Sequence, residues 1–151
     1  MNPKGAIMAP FLLWSDLFRA TGQRGMWLSI LAVSGGAVIG ANLRWALGLW
    51  LNTSGQAIPY GTLAANLSGG WLVGLLIGYF AQGASLSPEW RLFAITGLCG
   101  ALTTFSTFSL EVVSVMQEGK WSMAVAGILA HVIGSILMTV LGIYTFGVLK
   151  G

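Results

Sequence analysis

The sequence predicts an all-α membrane protein with four transmembrane helices in each subunit. Only 7% of the 151 residues are charged, against about 25% in an average soluble domain. The mean hydropathy is correspondingly high, at +0.81. The apolar residues fall into four long stretches, and each is long enough to supply the roughly 20 residues that a helix needs to cross a bilayer.

The four predicted spans follow one another with short connections. Their predicted bounds are Met26–Leu51, Tyr60–Gln82, Arg91–Met116 and Trp121–Leu149. Glycine, proline and small polar residues fill the connections, as is typical of turns. Tryptophan or tyrosine stands near several span ends, where aromatic side chains favour the membrane–water interface. We therefore expect a transmembrane domain over residues 26–151, preceded by an N-terminal extension, residues 1–25.

The extension has two interpretations. Its apolar segment, Ala6–Trp14, is far too short to span a bilayer, but it is suited to a short interfacial helix. Alternatively, residues 1–25 reflect an upstream start, because Met26 directly opens the first span. We expect the first span to be retained, since its polar residues come late and no clear signal-peptide cleavage site follows.

The charges give little indication of orientation. With four spans both termini lie on one side, which carries five cationic residues, whereas the other side has Lys120 and Arg44. Without residues 1–25 the count is two against two, so the positive-inside rule leaves the orientation undecided. A chain that inserts both ways can form an antiparallel dimer, which we state as a hypothesis. The cationic residues on the N-terminal side are Lys4, Arg19, Arg24, Arg91 and Lys150.

The second span carries small and polar residues at intervals of four: Thr62, Asn66, Gly70, Gly74 and Gly78. Glycines at this spacing allow close helix packing in lipid, so we expect Gly70, Gly74 and Gly78 to be structural. A side-chain amide at this depth must find hydrogen-bonding partners. Asn66 therefore either joins two helices or lines a polar path.

The third span contains a dense polar run, Thr103–Ser109, in the middle of apolar sequence. Such hydroxyls cost free energy in hydrocarbon unless they are satisfied or line a wet space. Gly97 and Gly100 stand just upstream, and we predict a break in the helix between Gly97 and Thr104. An interrupted helix exposes carbonyls to a cation and N–H groups to an anion. The positive edges of phenyl rings also suit an anion, so Phe105 and Phe108 are candidate contacts for a small anion.

The fourth span repeats the spacing of four with Gly127, His131, Ser135 and Thr139. These residues either form a polar track or, in the case of the hydroxyls, bond back to their own helix. In the first span, Arg44 lies near the far end and can extend to the interface. Glu111 is the only acid well inside a span, and a partly wet helix end explains it more simply than proton binding.

Taken together, these residues resemble the Fluc (CrcB-type) family of bacterial fluoride channels. The resemblance covers about residues 34–147, and its motifs lie in the same order on the first three spans. They are Gly35-Gly36, Gly40-Ala41 and Arg44 in the first span, Gly61-Thr62-Leu63, Asn66 and Gly69 in the second, and Gly97, Gly100 and Thr103–Phe108 in the third.

The resemblance implies a passive fluoride-selective channel in the bacterial inner membrane that exports fluoride from the cytoplasm and relieves its toxicity. It implies a dual-topology homodimer of two antiparallel subunits, with lipid around it, and residues 26–151 as the channel domain. A structural Na⁺ at the dimer centre would be held by the backbone carbonyls of Gly100 and Thr103, and Arg44 would be structural. The implied fluoride pathway comprises Asn66, Thr104, Phe105, Ser106, Thr107, Phe108, His131, Ser135 and Thr139.

His131 departs from the family pattern, in which hydroxyl residues usually form the track of the fourth helix. A histidine beside a pore introduces a possible pH effect, because imidazole titrates near neutrality. A protonated ring would attract anions, whereas a neutral ring would change little.

Three other functions account for less of the sequence. A proton-coupled small exporter would need an acid deep in the first span, where the chain has none. A non-transporting assembly factor would use the glycine ridges but leave the Phe–hydroxyl cluster unexplained. An enzyme is the weakest alternative, since the one His, the one Cys and the one intramembrane acid lie in no evident catalytic set. No pattern of basic and aromatic residues indicates a nucleic-acid partner.

Overall fold

A computed structural model describes residues 25–53, 56, 58–81 and 87–150, and four membrane-length helical segments make up this described part of the protein. Helix α1 is Met26–Leu51, and α2 is Tyr60–Phe80. The third segment, Pro88–Gln117, consists of two helical halves, and the fourth is the single helix α5, Trp121–Lys150. All four are long and apolar enough to cross a membrane, which confirms the four predicted spans.

The third segment is interrupted near its middle. Its first half, which we call α3, begins with the turn Pro88–Arg91, continues as a π-helix over Leu92–Cys99 and ends with the turn Gly100–Leu102. At Thr103 the backbone becomes extended, with φ −78° and ψ 155°. The second half, α4, runs over Ser106–Gln117. The three residues 103–105 therefore separate two half-helices.

Glycine allows the helices to approach closely in two pairs. Helix α1 packs mainly on the π-helical part of α3, and α2 packs mainly on α5. A Cβ atom on Gly36 would clash with the Phe93 carbonyl, and one on Gly97 would lie 2.9 Å from the Gly36 Cα atom. A Cβ atom on Gly74 would likewise clash with the Thr139 carbonyl. Backbones this close gain van der Waals contact, which is the main source of helix association in lipid.

The predicted bounds of the spans agree closely with the structure. The first is identical, and the other three differ by one to three residues at their ends. The break lies at the C-terminal end of the predicted Gly97–Thr104 interval, at residues 103–105. Gly97 itself stays helical, because its missing side chain serves the contact with α1 and not the break. The N-terminal residues 1–24, including the proposed interfacial segment Ala6–Trp14, lie outside the described residues.

Candidate functional site

The break in the third segment is held by a side chain of α2. Asn66 Oδ1 accepts a hydrogen bond from the Thr104 backbone N–H at 2.7 Å, and Asn66 Nδ2 donates to the Thr104 carbonyl at 3.1 Å. In a continuous helix that N–H would donate to the Gly100 carbonyl four residues earlier. The buried amide of Asn66 therefore replaces the missing helical partners of both backbone groups of Thr104.

His131 on α5 is the next member of this cluster. Its Nδ1 lies 2.9 Å from Asn66 Nδ2, and the ring is stacked on Phe108 with centroids 4.6 Å apart and planes tilted by 30°. His131 is 5% exposed, Phe108 is 6% exposed, and Asn66 is also buried. Residues of α2, α4 and α5 thus meet at the break.

The two phenylalanines differ sharply in environment. Their rings are in edge-to-face contact, with centroids 5.5 Å apart. Phe108 is buried, but Phe105 is 77% exposed in the single chain. In a continuous helix, two residues three positions apart would lie on nearly the same face. They differ because Phe105 lies in the non-helical link, whereas Phe108 lies in the first turn of α4.

Hydroxyl groups cap the start of α4. Thr104 Oγ1 accepts from the Thr107 backbone N–H at 3.1 Å and donates to Thr107 Oγ1 at 3.0 Å. Ser106 Oγ lies 3.3 Å from the same Thr104 oxygen. The capping interaction satisfies one of the N–H groups that a helix start leaves without an intrahelical partner. The hydroxyl hydrogen of Thr107 has no acceptor among the described residues.

The hydroxyls of α5 have different roles. Thr139 Oγ1 donates to the Ser135 carbonyl at 2.9 Å, so its single hydrogen is already used within the helix. Ser135 has no side-chain hydrogen bond to any described residue, and it lines the same cavity as His131. The backbone of this stretch also faces α2, since a Cβ atom on Gly70 would lie 2.9 Å from the Ser135 carbonyl.

Two cavities meet at the break. The larger has a volume of about 520 Å³ and lies between α2, the break and α5. The second, of about 380 Å³, lies between α1, α2 and the start of α4. Thr104 lines both. Most of the pathway residues predicted from sequence line the larger cavity: Asn66, Thr104, Phe105, Phe108, His131 and Ser135. Thr104 and Thr107 line the second cavity. Ser106 and Thr139 line neither of the two cavities.

Arg44 of α1 lines the second cavity. Its Nε donates to the Ala101 carbonyl at 3.0 Å, which is one of the last carbonyls of α3. Cationic side chains near the C-terminal end of a helix interact favourably with the carbonyls there. Arg44 therefore joins α1 to the end of the first half-helix.

A pair of residues that sequence reasoning did not assign to the site connects α2 to α4. Thr62 Oγ1 donates to Glu111 Oε1 at 2.5 Å, and Glu111 Oε2 is buried without a partner among the described residues. Thr62 also lines the second cavity. The signal was available, because Thr62 lies one helical turn before Asn66 in the row spaced by four.

The carbonyl groups that a cation would use lie beside the larger cavity. Gly100 and Thr103 both line it. The regular helical partner of the Gly100 carbonyl would be the Thr104 N–H, which here donates to Asn66. The Thr103 carbonyl also leaves the helical direction, because its residue is extended. Both features suit carbonyl coordination of a hard cation such as Na⁺.

Gly78, the third glycine of the predicted packing row, also faces α5. A Cβ atom there would lie 2.9 Å from the ring of Phe146.

The chain is similar to known proteins over nearly all of its described length. Residues 31–143 match the family model described as "CrcB-like protein, Camphor Resistance (CrcB)". A fluoride-specific ion channel FluC from Marinobacter nauticus is 71% identical over 126 residues, which are 83% of this chain and 100% of that protein. Proteins of the same name from Chromohalobacter salexigens and Pseudomonas aeruginosa are 60% and 56% identical, each over 83% of this chain and over 95% and 99% of their own length.

Proposed function

This chain belongs to the CrcB family, and from that premise we propose that it is a fluoride-selective ion channel. The relatives named above are called ion channels and not enzymes, and their high identity to this chain supports the same function here. The four membrane-length helices make it a multi-pass membrane protein. We place it in the bacterial inner membrane, where it would export fluoride from the cytoplasm and so relieve fluoride toxicity.

The observation that carries the proposal is the polar break between two cavities. Fluoride is small and strongly hydrated, so its pathway must replace water with hydrogen-bond donors and positive partial charge. Thr104 lines both cavities, and unassigned donor hydrogens remain on Ser135 in the larger cavity and on Thr107 in the second. The ring edges of Phe105 and Phe108 add positive partial charge without a hydrogen bond.

The start of α4 also offers positive partial charge to an anion. Its first backbone N–H groups lack intrahelical partners and carry the positive end of the helix dipole. The Thr104 hydroxyl accepts from the N–H of Thr107. The N–H groups earlier in the same turn, next to the link of residues 103–105, do not share that partner. Among the described residues no lysine or arginine lines the larger cavity, and weak sites of this kind favour rapid exit of the ion. Transport would be passive, with an inside-negative potential driving the anion outwards.

We also propose that two subunits assemble in antiparallel orientation. In the single chain Phe105 is 77% exposed, although it lines the larger cavity. A second copy covering this face would enclose both the ring and the cavity. The two-against-two distribution of cationic residues in residues 26–151 is consistent with insertion in both orientations.

At the centre of such a dimer we propose a structural Na⁺ held by the carbonyls of Gly100 and Thr103. Oxygen ligands from irregular backbone are typical of sodium sites at interrupted membrane helices. A bound cation would stabilise the extended conformation at Thr103 and the assembly around it.

Fluoride efflux from proteoliposomes tests the function. The unaltered protein should release fluoride and not chloride, and Phe108→Ile should reduce fluoride efflux because it removes a buried ring from the pathway. Leu110→Ala on the same helix is the matched control, since Leu110 is 68% exposed and lines neither cavity; it should conduct normally. Equal chloride efflux, or unchanged fluoride efflux in Phe108→Ile, would refute the assignment.

The assembly is tested separately by crosslinking subunits that carry different terminal tags. Accessibility of the tags from the two sides of sealed vesicles should show opposite orientations within one crosslinked pair. Pairs found only in parallel orientation would contradict the antiparallel dimer without bearing on fluoride transport.

A further inference from the structure

We propose that His131 is a neutral ring in a fixed tautomer, with its proton on Nε2, and that this Nε2–H group donates a hydrogen bond to the permeating anion. The role of the group towards the anion rests on the proposed fluoride channel. The tautomer itself rests only on the hydrogen bonds at the break and can be tested without transport.

The orientation of the Asn66 amide is fixed by the backbone N–H and carbonyl of Thr104. A backbone N–H can only donate and a carbonyl can only accept. The Asn66 atom 2.7 Å from the Thr104 N–H must therefore be the amide oxygen, and the atom 3.1 Å from the Thr104 carbonyl must be the amide nitrogen. The reversed amide would place an NH₂ group against an N–H and an oxygen against a carbonyl.

This orientation determines the protonation of His131. The Asn66 atom facing His131 Nδ1 at 2.9 Å is the amide nitrogen, which donates and cannot accept. Nδ1 must then be the acceptor and carry no proton. A neutral imidazole has one N–H group, so the proton is on Nε2. Protonation of Nδ1 would set an N–H against the NH₂ of Asn66.

Nε2 is the atom of the ring that remains available. It has no hydrogen bond to any described residue, and it keeps some accessible surface although the residue as a whole is 5% exposed. The face of the ring is occupied by Phe108. His131 lines the cavity of about 520 Å³ together with Ser135, and it also lines the small pocket behind Phe108. The proposed role requires that Nε2–H faces the larger cavity, where the Ser135 hydroxyl is a second donor.

The side-chain amide of Asn66 has no hydrogen left for an anion. Both hydrogens of the Asn66 amide are engaged, one by the Thr104 carbonyl and one by His131. Asn66 therefore holds the break and sets the tautomer, and the ring is the N–H donor facing the cavity. This reverses the sequence-based expectation that a neutral histidine would change little and a protonated one would attract anions.

Few other groups titrate near the ring. Among the residues lining the cavities beside His131, Cys99 of α3 faces the larger one and Glu111 of α4 faces a small pocket behind Phe108. Neither α1 nor α2 contributes a titratable residue to these two cavities. The hydrogen-bond partner of Glu111 is Thr62 of α2 and not the imidazole of His131.

The chain contains one histidine, which allows a direct test. Protein labelled with ¹⁵N-histidine and reconstituted in lipid at neutral pH should give one protonated nitrogen, assigned to Nε2, and one unprotonated nitrogen, assigned to Nδ1. Asn66→Leu should change the Nδ1 signal, because the hydrogen bond to that nitrogen is lost. A proton on Nδ1, or on both nitrogens, would overturn the proposal.

Two variants separate the two nitrogens. The amide nitrogen of Gln can occupy the position of Nε2, and the amide oxygen of Asn can occupy that of Nδ1. His131→Gln keeps the donor towards the cavity and should lose less fluoride efflux than His131→Asn. His131→Asn keeps an acceptor for Asn66 but loses the donor, and fluoride efflux should fall by at least about tenfold, the lower end of the range for one hydrogen bond to a charged group. The opposite order of the two variants would overturn the role of Nε2–H.

The result is distinguishable from a failure of the proposed function. If the unaltered protein carries no fluoride, the channel assignment fails while the nitrogen spectrum still decides the tautomer. If it carries fluoride and His131→Asn is as active as His131→Gln, the channel stands and the donor role is wrong. Thermal unfolding of both variants in detergent identifies a loss of efflux that comes from loss of the folded protein.

Discussion

Replacing Asn66 by leucine should destabilise the protein. Leucine has nearly the same shape as asparagine but can make no hydrogen bond. The change would leave the Thr104 N–H, the Thr104 carbonyl and His131 Nδ1 without their partner. Each is a polar group in the interior of a membrane domain, where no bulk water replaces the lost bond.

The expected cost follows from those three contacts. Hydrogen bonds between membrane helices contribute about 0.6 kcal/mol on average and about 1.7 kcal/mol at most. Three of them give about 2 to 5 kcal/mol. Asn42→Leu is the matched control, because Asn42 is exposed and makes only a local bond to the Val38 carbonyl. A surface substitution of this kind should change stability by less than about 0.5 kcal/mol.

Unfolding in mixed micelles of increasing SDS content measures the difference, with tryptophan fluorescence as the signal and protein concentration held fixed because assembly contributes to stability. The Asn66 variant should unfold at a lower SDS fraction than both the unaltered protein and the Asn42 variant. If the two leucine variants unfold together, the hydrogen bonds at the break do not stabilise the fold, and the reasoning is wrong.

Three further changes test other contacts. Gly74→Ala should lower the free energy of unfolding by about 1–3 kcal/mol or more, because its methyl group would overlap the backbone of α5. The control Gly147→Ala, with open space around it, should be neutral or stabilising. Equal unfolding midpoints for the two variants would contradict the close approach of α2 and α5. Thr62→Val and Glu111→Gln should show a coupling of about 0.5–3 kcal/mol in a double-mutant cycle, and strict additivity would show that the hydroxyl–carboxyl bond contributes nothing. Arg44→Met should lower stability because the Ala101 carbonyl at the end of α3 loses a donor. An unchanged unfolding midpoint would show that this hydrogen bond does not stabilise the fold.

The fold could be predicted from the sequence to a large extent, because the requirement for about 20 apolar residues per span sets both the number and the bounds of the helices. The glycine row of α2 also predicted a packing ridge, and these glycines do face α5. The exact position of the break could not be derived. It depends on Asn66, which lies in another helix and becomes a partner of Thr104 only in three dimensions.

The candidate site shows the same limit. Sequence spacing placed His131, Ser135 and Thr139 in one row, yet the three differ in which hydrogen atoms remain free. Thr139 donates to its own helix, and the tautomer of His131 is set by an amide on α2. Patterns of residue type identify polar groups, but they do not show which donors are already used.

The dependence of the break on Asn66 has a consequence for how the protein is made. An unpaired N–H and carbonyl at Thr104 would be costly in the hydrocarbon core, so the third segment needs α2 beside it when it enters the bilayer. Because α2 comes earlier in the chain, the ribosome delivers Asn66 before it delivers Thr104. The order of synthesis thus supplies the partner first, and the two segments are suited to enter the membrane as one hairpin.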